Sequence, residues 1–205
     1  RGGAINFFRK PFKIEEVIEV VSNAVKHYTS FSYHELASPD FLHESKAFSL
    51  KVGRANLLPI VNQIVFNCGA LFSEAEIINI KIGIEEMITN AIEHGSLGIG
   101  YETKRQALVD GNFYELCRKR LTDPANLSKN VSISSTLTQD KLVVEVSDSG
   151  PGFDWKNLPS VTSENIHTFN GRGILLTRIF FDQVDYNQAG NKVTLQKFKN
   201  SQSFI

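Results

Sequence analysis

Hydrophobic positions divide the chain into alternating strand-like and helix-like segments. A short apolar run at 3–8 predicts a strand, and apolar residues three and four apart over 13–28 predict a helix. Strict alternation at 46–52 predicts a second strand, and 56–71 again has helical spacing. The serine-containing stretch 29–43 between these units predicts a linker.

A long helix is predicted from Ser73 to about His94. Ser73 and Glu76 have the spacing of a capping box, in which each side chain satisfies a free backbone amide at the helix start. Gly95 follows, the residue type that commonly ends a helix. One face of this helix is apolar and is expected to pack on a sheet through Ile77, Ile84, Ile88 and Ala91.

Polar and glycine-rich stretches separate the remaining elements. Residues 98–130 are mostly polar and predict an insertion after the long helix, with one amphipathic piece around Phe113, Leu116 and Leu121. Beyond it, two strands, a helix and a closing hairpin are expected at 131–137, 141–147, 174–181, 183–187 and 193–198.

Composition narrows the class of protein. The 205 residues include 22 basic and 22 acidic side chains, so the formal net charge is zero. A protein that coats nucleic acid or an anionic membrane needs a basic excess, so neither is expected as a partner. Two isolated cysteines, Cys68 and Cys117, argue against a disulfide framework or a zinc site and favour a reducing cytoplasm. No apolar run approaches the roughly 18 residues of a membrane span, and a start at Arg1 instead of Met predicts further sequence upstream.

The long helix carries the first candidate chemical motif. Glu86 and Asn90 are four residues apart and share the helix face of Gly83, opposite the apolar face. Taken alone, such a pair is far more typical of a solvated helix face than of a binding site.

Two glycine motifs follow in the second half of the chain. The sequence Asp-Ser-Gly-Pro-Gly at 148–152 comes directly after a strand, where a carboxylate can accept a hydrogen bond from an adenine amino group. The sequence Gly-Arg-Gly-Ile at 171–174 opens a helix, whose free amides and positive end suit phosphate oxygens. Separately, the first could be a turn and the second an ordinary helix start.

In this order, the three motifs resemble the GHKL ATPase superfamily, which includes gyrase, MutL and histidine-kinase ATPase domains. Thr-Asn-Ala-Ile-Glu-His-Gly at 89–95, Asp-Ser-Gly-Pro-Gly-Phe-Asp at 148–154 and Gly-Arg-Gly-Ile-Leu-Leu at 171–176 look most like the anti-sigma-factor serine kinases of the RsbW/SpoIIAB type. The resemblance covers about 44–198. It implies an α/β two-layer sandwich (the Bergerat, or GHKL, fold) in which a mixed, largely antiparallel sheet packs helices on one face.

The resemblance also assigns roles to individual residues. Asn90 matches the ligand of a Mg²⁺ ion that bridges the ATP phosphates, and Glu86 matches the glutamate proposed as general base. Asp148 matches the aspartate that reads the adenine amino group, and 158–170 match the lid over ATP. Further positions match residues beside the base or the phosphates, namely Gly150, Gly152, Arg172, Gly173, Ile174 and Thr194.

The implied function is that of an ATP- and Mg²⁺-dependent serine/threonine protein kinase in a partner-switching or two-component pathway. Its substrate would be an anti-sigma-factor-antagonist-like protein. One alternative is an ATP-binding module that sequesters such a protein or a sigma factor with little phosphotransfer. Another is an ATPase that drives a conformational cycle, which the lack of a transducer domain disfavours.

The N-terminal segment 1–28 resembles the last strand, Lys-Pro turn and final helix of a response-regulator receiver domain. Lys10 would contact an aspartyl phosphate in an intact receiver, but this sequence does not contain the acidic pocket. So short a segment cannot form its own core and is expected to be a remnant or tether, although its helix spacing would also suit a homodimer. The expected organisation is therefore receiver-like 1–28, linker 29–43, and an ATPase- or kinase-like domain 44–200 with insertion 98–130.

Overall fold

The computed structural model describes residues 40–54, 56–157 and 172–199. The receiver-like segment, most of the expected linker and the expected lid lie outside the described residues. Within the described ranges, no helix combines the length and the apolar character needed to cross a membrane.

Within the described residues, five strands form a sheet that makes up one layer of the fold. Its strands are β1 His43–Lys51, β2 Asn130–Thr138, β3 Lys141–Ser147, β4 Gln183–Tyr186 and β5 Lys192–Phe198. They lie in the order β1-β2-β3-β5-β4, and each neighbouring pair is antiparallel. The predicted α/β fold class is confirmed, with a sheet that is antiparallel throughout the described strands.

Alternation along the strands gives the sheet one apolar face and one polar face. The buried face is formed by Val131, Ile133, Leu137, Leu142, Val144, Val146, Val193 and Leu195. On the opposite face, Ser134 and Glu145 are cross-strand partners. Because successive side chains of a strand point to opposite faces, this pattern assigns the helices to the apolar face.

Helix α1 covers Leu57–Val65, and helix α2 covers Glu74–Asn90. Helix α2 begins with the predicted capping box, in which Ser73 N donates to Glu76 Oε2 at 2.9 Å and Glu76 N donates to Ser73 Oγ at 3.4 Å. Its predicted apolar residues are buried, with Ile84 and Ile88 fully inaccessible. Helix α2 is therefore anchored at its start by local hydrogen bonds and along its length by the sheet.

Gly95 predicted that the helix ends at about His94, but the helical path continues beyond this residue. Residues Ala91–Ser96 continue α2 as a π-helical turn, in which Leu97 N donates to Ile92 O at 2.8 Å. A π-helical turn holds one extra residue per hydrogen-bonded ring and is frequent at functional sites. The helical path is thereby extended past Gly95.

The insertion is itself helical. Helix α3 covers Tyr101–Val109, α4 covers Phe113–Leu121, and α5 covers Pro124–Leu127. The amphipathic piece predicted around Phe113 corresponds to α4, whereas α3 and α5 were not predicted.

Helix α6, Arg172–Phe180, packs closely on α2. Gly83 permits this approach, since a Cβ there would lie 2.7 Å from Phe181 Cε2. Thr177 Oγ1 donates to Gly173 O at 2.8 Å and lies 3.4 Å from Gly83 O. These contacts fix the second half of α6 beside the middle of α2.

Candidate functional site

The packing of α6 on α2 brings Glu86 to the start of α6. The Glu86 carboxylate lies so close to Gly173 that a Cβ on that glycine would overlap Glu86 Oε2. The first turn of a helix is its positive end, which stabilises a nearby carboxylate. Two of the sequence-predicted site residues are therefore in direct contact.

Asn90 lies one turn further along α2, as the last residue before the π-helical turn. It is half-buried, and its side-chain amide makes no hydrogen bond to any residue that the structure describes. A lone amide oxygen suits Mg²⁺ when phosphates and waters supply the other ligands. Among the described residues, no group of three or more His, Cys, Asp or Glu side chains could hold a metal by itself. The donor set at Asn90 therefore fits a magnesium ion that arrives with its nucleotide.

Asp148 lies at the end of β3 against the π-helical turn. Its carboxylate fills the space beside Gly95, where a Cβ would overlap it. Gly150 N donates to Asp148 Oδ1 at 2.7 Å, and Asp148 N donates to Asn191 O at 3.0 Å. No donor in the described part of the chain reaches Oδ2, which leaves that oxygen to accept a hydrogen bond from a ligand.

The Asp148 carboxylate is partly withdrawn from water. Burial raises the pKa of Asp148, and the Gly150 amide and the positive charge of Lys129 oppose this shift. An acceptor carboxylate withdrawn from water in this way forms stronger hydrogen bonds than one in bulk solvent.

Gly150 and Gly152 are explained by close backbone packing. A Cβ on Gly150 would overlap Gly95 O, and a Cβ on Gly152 would overlap Ala189 O. Gly152 also has a φ of +81°, a conformation that favours glycine. These glycines let the loop after β3 lie between the π-helical turn and the β4–β5 hairpin, and their contact with nucleotide stays a prediction.

Aromatic residues hold the same loop on the hairpin. Phe153 packs edge-on against Tyr186 with ring centroids 5.3 Å apart, and Trp155 stacks on Tyr186 at 6.0 Å. Trp155 Nε1 donates to Asn187 O at 2.9 Å, and Tyr186 Oη donates to Met87 Sδ at 3.5 Å. The cluster connects the loop to α2 next to Glu86.

The other predicted site residues are placed less directly. Ile174 is half-buried in the first turn of α6, and Arg172 begins that helix, with its side chain outside the described structure. Thr194 lies on the polar sheet face, where its hydroxyl donates to Glu145 Oε1 at 3.4 Å. The structure therefore does not bring Thr194 together with Asp148.

Glu145 explains the surroundings of Thr194. It forms an ion pair of 2.7 Å with Lys192, and this contact lowers the pKa of the Glu145 carboxyl. The Thr194 hydroxyl thus belongs to a cross-strand polar network on the outside of the sheet.

Sequence reasoning gave two residues of this site no role. Gly95 was predicted to end the helix and closes the motif at 89–95 without a role of its own, yet it provides the surface on which Asp148 lies. Asn191 lies between the two strands expected for the closing hairpin, yet its side-chain amide donates to Gly150 O at 3.1 Å and its carbonyl accepts from Asp148 N. Both residue types have ordinary local explanations, so only their three-dimensional neighbours reveal them.

A comparison with known protein families gives a match to part of the chain that forms this site. Residues 114–197 match the family model described as a histidine kinase-like ATPase domain. The match includes Asp148, the glycine loop, α6 and the last two strands, and it begins after Asn90 in the sequence. It supports an ATP-binding, kinase-like ATPase domain of the GHKL type. A search among curated proteins gave no significant match.

Proposed function

We propose that this protein is an ATP- and Mg²⁺-dependent serine/threonine protein kinase of the anti-sigma-factor type. The observation that carries the proposal is the position of Glu86, which lies against the first turn of α6 and one helical turn from Asn90. A carboxylate, an amide that could bind a metal and a helix N-terminus, on two packed helices, are groups that can serve phosphoryl transfer.

In this proposal ATP is held at both ends. The free oxygen of Asp148 accepts a hydrogen bond from the adenine amino group, and the amides that open α6 face the phosphates. Asn90 would hold Mg²⁺, which neutralises phosphate charge when bound. The match to a kinase-like ATPase domain over 114–197 supports the ATP part of this assignment.

Glu86 is the proposed general base. It would accept the proton of a serine or threonine hydroxyl while the hydroxyl oxygen bonds to the γ-phosphorus and the bond to the bridging oxygen of ADP breaks. The proposed substrate is an anti-sigma-factor-antagonist-like protein in a cytoplasmic partner-switching or two-component pathway, which the resemblance of the three motifs supports.

A second candidate is an ATP-binding module that sequesters its partner with little or no phosphotransfer. The insertion favours partner binding in either case, because Tyr114 and Val109 are 85% and 74% exposed. Exposed apolar residues are typical of interaction surfaces where they form a continuous patch.

The two candidates differ in what Glu86 does. In an assay with labelled ATP, Mg²⁺ and a candidate antagonist-like protein, we expect Glu86→Gln to bind ATP normally and to transfer phosphate roughly 10²–10⁴-fold more slowly. Asn90→Ala should weaken both nucleotide affinity and transfer. Glu85→Gln is the matched control, since Glu85 is the adjacent carboxylate on the same helix and is not the one at Gly173.

The outcomes for Glu86→Gln distinguish three roles of Glu86. Transfer at the wild-type rate in Glu86→Gln would exclude the catalytic role and favour the sequestering module. Loss of ATP binding in the same variant would make Glu86 a binding or structural residue.

A further inference from the structure

Lys129 joins the end of the insertion to the π-helical turn. Its ammonium donates to Ser96 O at 2.7 Å and to Asn126 Oδ1 at 3.0 Å. Asn126 is buried, and its own amide donates to Arg120 O at 2.9 Å. The lysine is therefore fixed on the insertion side and contacts the π-helical turn with its charged end.

The contact falls at the carboxyl end of that turn, where carbonyl groups lack partners within the helix and a cation is favourable. Ammonium-to-carbonyl hydrogen bonds are charge-assisted and roughly twice as strong as neutral ones. Ser96 is fully buried, so water cannot readily replace the lysine. The position of the Ser96 carbonyl thus depends on Lys129.

Ser96 is bonded to Gly95, which forms the surface beneath Asp148. The Asp148 carboxylate and Gly150 both lie so close to Gly95 that a Cβ on either glycine would overlap its neighbour. Because these groups are in close van der Waals contact, a shift of the π-helical turn must move the Asp148 carboxylate or open a gap beside it. The positive charge of Lys129 also opposes the burial that raises the pKa of Asp148.

We propose that Lys129 is a positioning residue for adenine recognition, which holds the Ser96 carbonyl and thereby keeps Gly95 against the Asp148 carboxylate. The inference rests on the proposed role of Asp148 in reading the adenine amino group. Lys129 acts on the base end of the nucleotide and leaves the phosphate end, at α6 and Asn90, unchanged.

The test separates base recognition from nucleotide binding in general. Affinities for ATP and for purine riboside triphosphate, which lacks the 6-amino group, are measured by calorimetry with Mg²⁺. We expect the wild-type protein to prefer ATP and Lys129→Met to lose about tenfold of that preference, with affinity for the second nucleotide changed less than about twofold. Lys129→Arg should restore most of the preference, because it keeps a charged donor. Lys119→Met is the control, an exposed lysine of the same insertion.

Other outcomes overturn the inference in distinguishable ways. An equal loss of affinity for both nucleotides in Lys129→Met, with a lower melting temperature, would give Lys129 a general structural role only. An unchanged preference would show that Asp148 needs no help from Lys129. A wild-type protein that binds both nucleotides equally refutes the recognition role of Asp148 but retains ATP binding, whereas one that binds neither also refutes the proposed function.

Discussion

At the scale of single residues, Asp148 combines a structural cost with the recognition role proposed for it. Burial places its folded-state pKa above the unfolded value, so between the two pKa values the folded protein binds more protons than the unfolded chain. Stability therefore falls as the pH rises through that window, and at neutral pH the ionised carboxylate opposes folding. The negative charge of Asp148 therefore lies at a position where a ligand could donate a hydrogen bond to it.

Replacing the Asp148 carboxylate by an amide should raise the stability of the protein and lower its affinity for ATP. Asp148→Asn keeps an acceptor for Gly150 N but carries no charge, so we expect a higher melting temperature at pH 7. We also expect ATP affinity to fall by roughly 1–3 kcal/mol, as for a lost hydrogen bond to a charged group. Thermal denaturation and calorimetry measure the two effects, with the exposed Asp185→Asn as control. A lower melting temperature together with unchanged affinity would contradict both halves of this interpretation.

Gly95 offers a test of the same site from the opposite side. A methyl group on Gly95 would overlap the Asp148 carboxylate, so Gly95→Ala should displace it and weaken ATP binding about tenfold or more. Gly100→Ala is the matched control, because a Cβ there meets its nearest neighbour, Thr103 Oγ1, at 3.8 Å. Equal ATP affinities in the two variants would show that Asp148 tolerates displacement.

At the scale of elements, the start of α2 should contribute measurably to stability. Ser73→Ala removes one half of the capping box and should lower the free energy of unfolding by about 1 kcal/mol, within the 0.5–2 kcal/mol typical of such caps. Urea denaturation measures the change. Since Ser73 and Glu76 serve each other's backbone amides, the double variant with Glu76→Ala should lose less than the sum of the single variants. Strict additivity would mean that the two hydrogen bonds act independently.

Elements with strong local patterns were predictable from the sequence, and the others were not. Strand β3 was predicted with its observed bounds, and the capping box gave the observed start of α2. The π-helical turn has no sequence pattern of its own, and α3 was missed because it buries little besides Ala107. The position of Thr194 on the outer sheet face could have been predicted from the alternation along β5, since its neighbours Val193 and Leu195 occupy core positions.

At the scale of the whole molecule, the three motifs predicted the fold class through resemblance, but local patterns could not give the strand order. The hairpin of β4 and β5 could join the sheet by either strand, and the structure places β5 beside β3. That choice brings Asn191, directly before β5, next to Asp148, directly after β3. The contact between Glu86 and Gly173 likewise depends on long-range helix packing, which spacing along the chain does not specify.

Cys68 can report on the stability of this whole assembly and on its ligand. Its side chain is inaccessible, and burial raises the pKa of its thiol to about 12, so it should react with thiol reagents only when the structure opens. In a Cys117→Ser background Cys68 is the one remaining thiol of the chain. If the opening is global, ATP with Mg²⁺ at 100 times its Kd should stabilise the protein by about 2.7 kcal/mol and slow labelling about 100-fold.

The same experiment identifies the kind of opening that exposes the thiol. Labelling rates measured against urea without nucleotide should give a slope equal to that of global unfolding, because the thiol lies among core side chains. Adding Asp148→Asn should reduce the protection by ATP in proportion to its lost affinity. Labelling that ATP does not slow, with a urea slope matching global unfolding, would contradict ATP binding by the folded protein. A shallow urea slope would instead place Cys68 in a region that opens locally, separate from the nucleotide site.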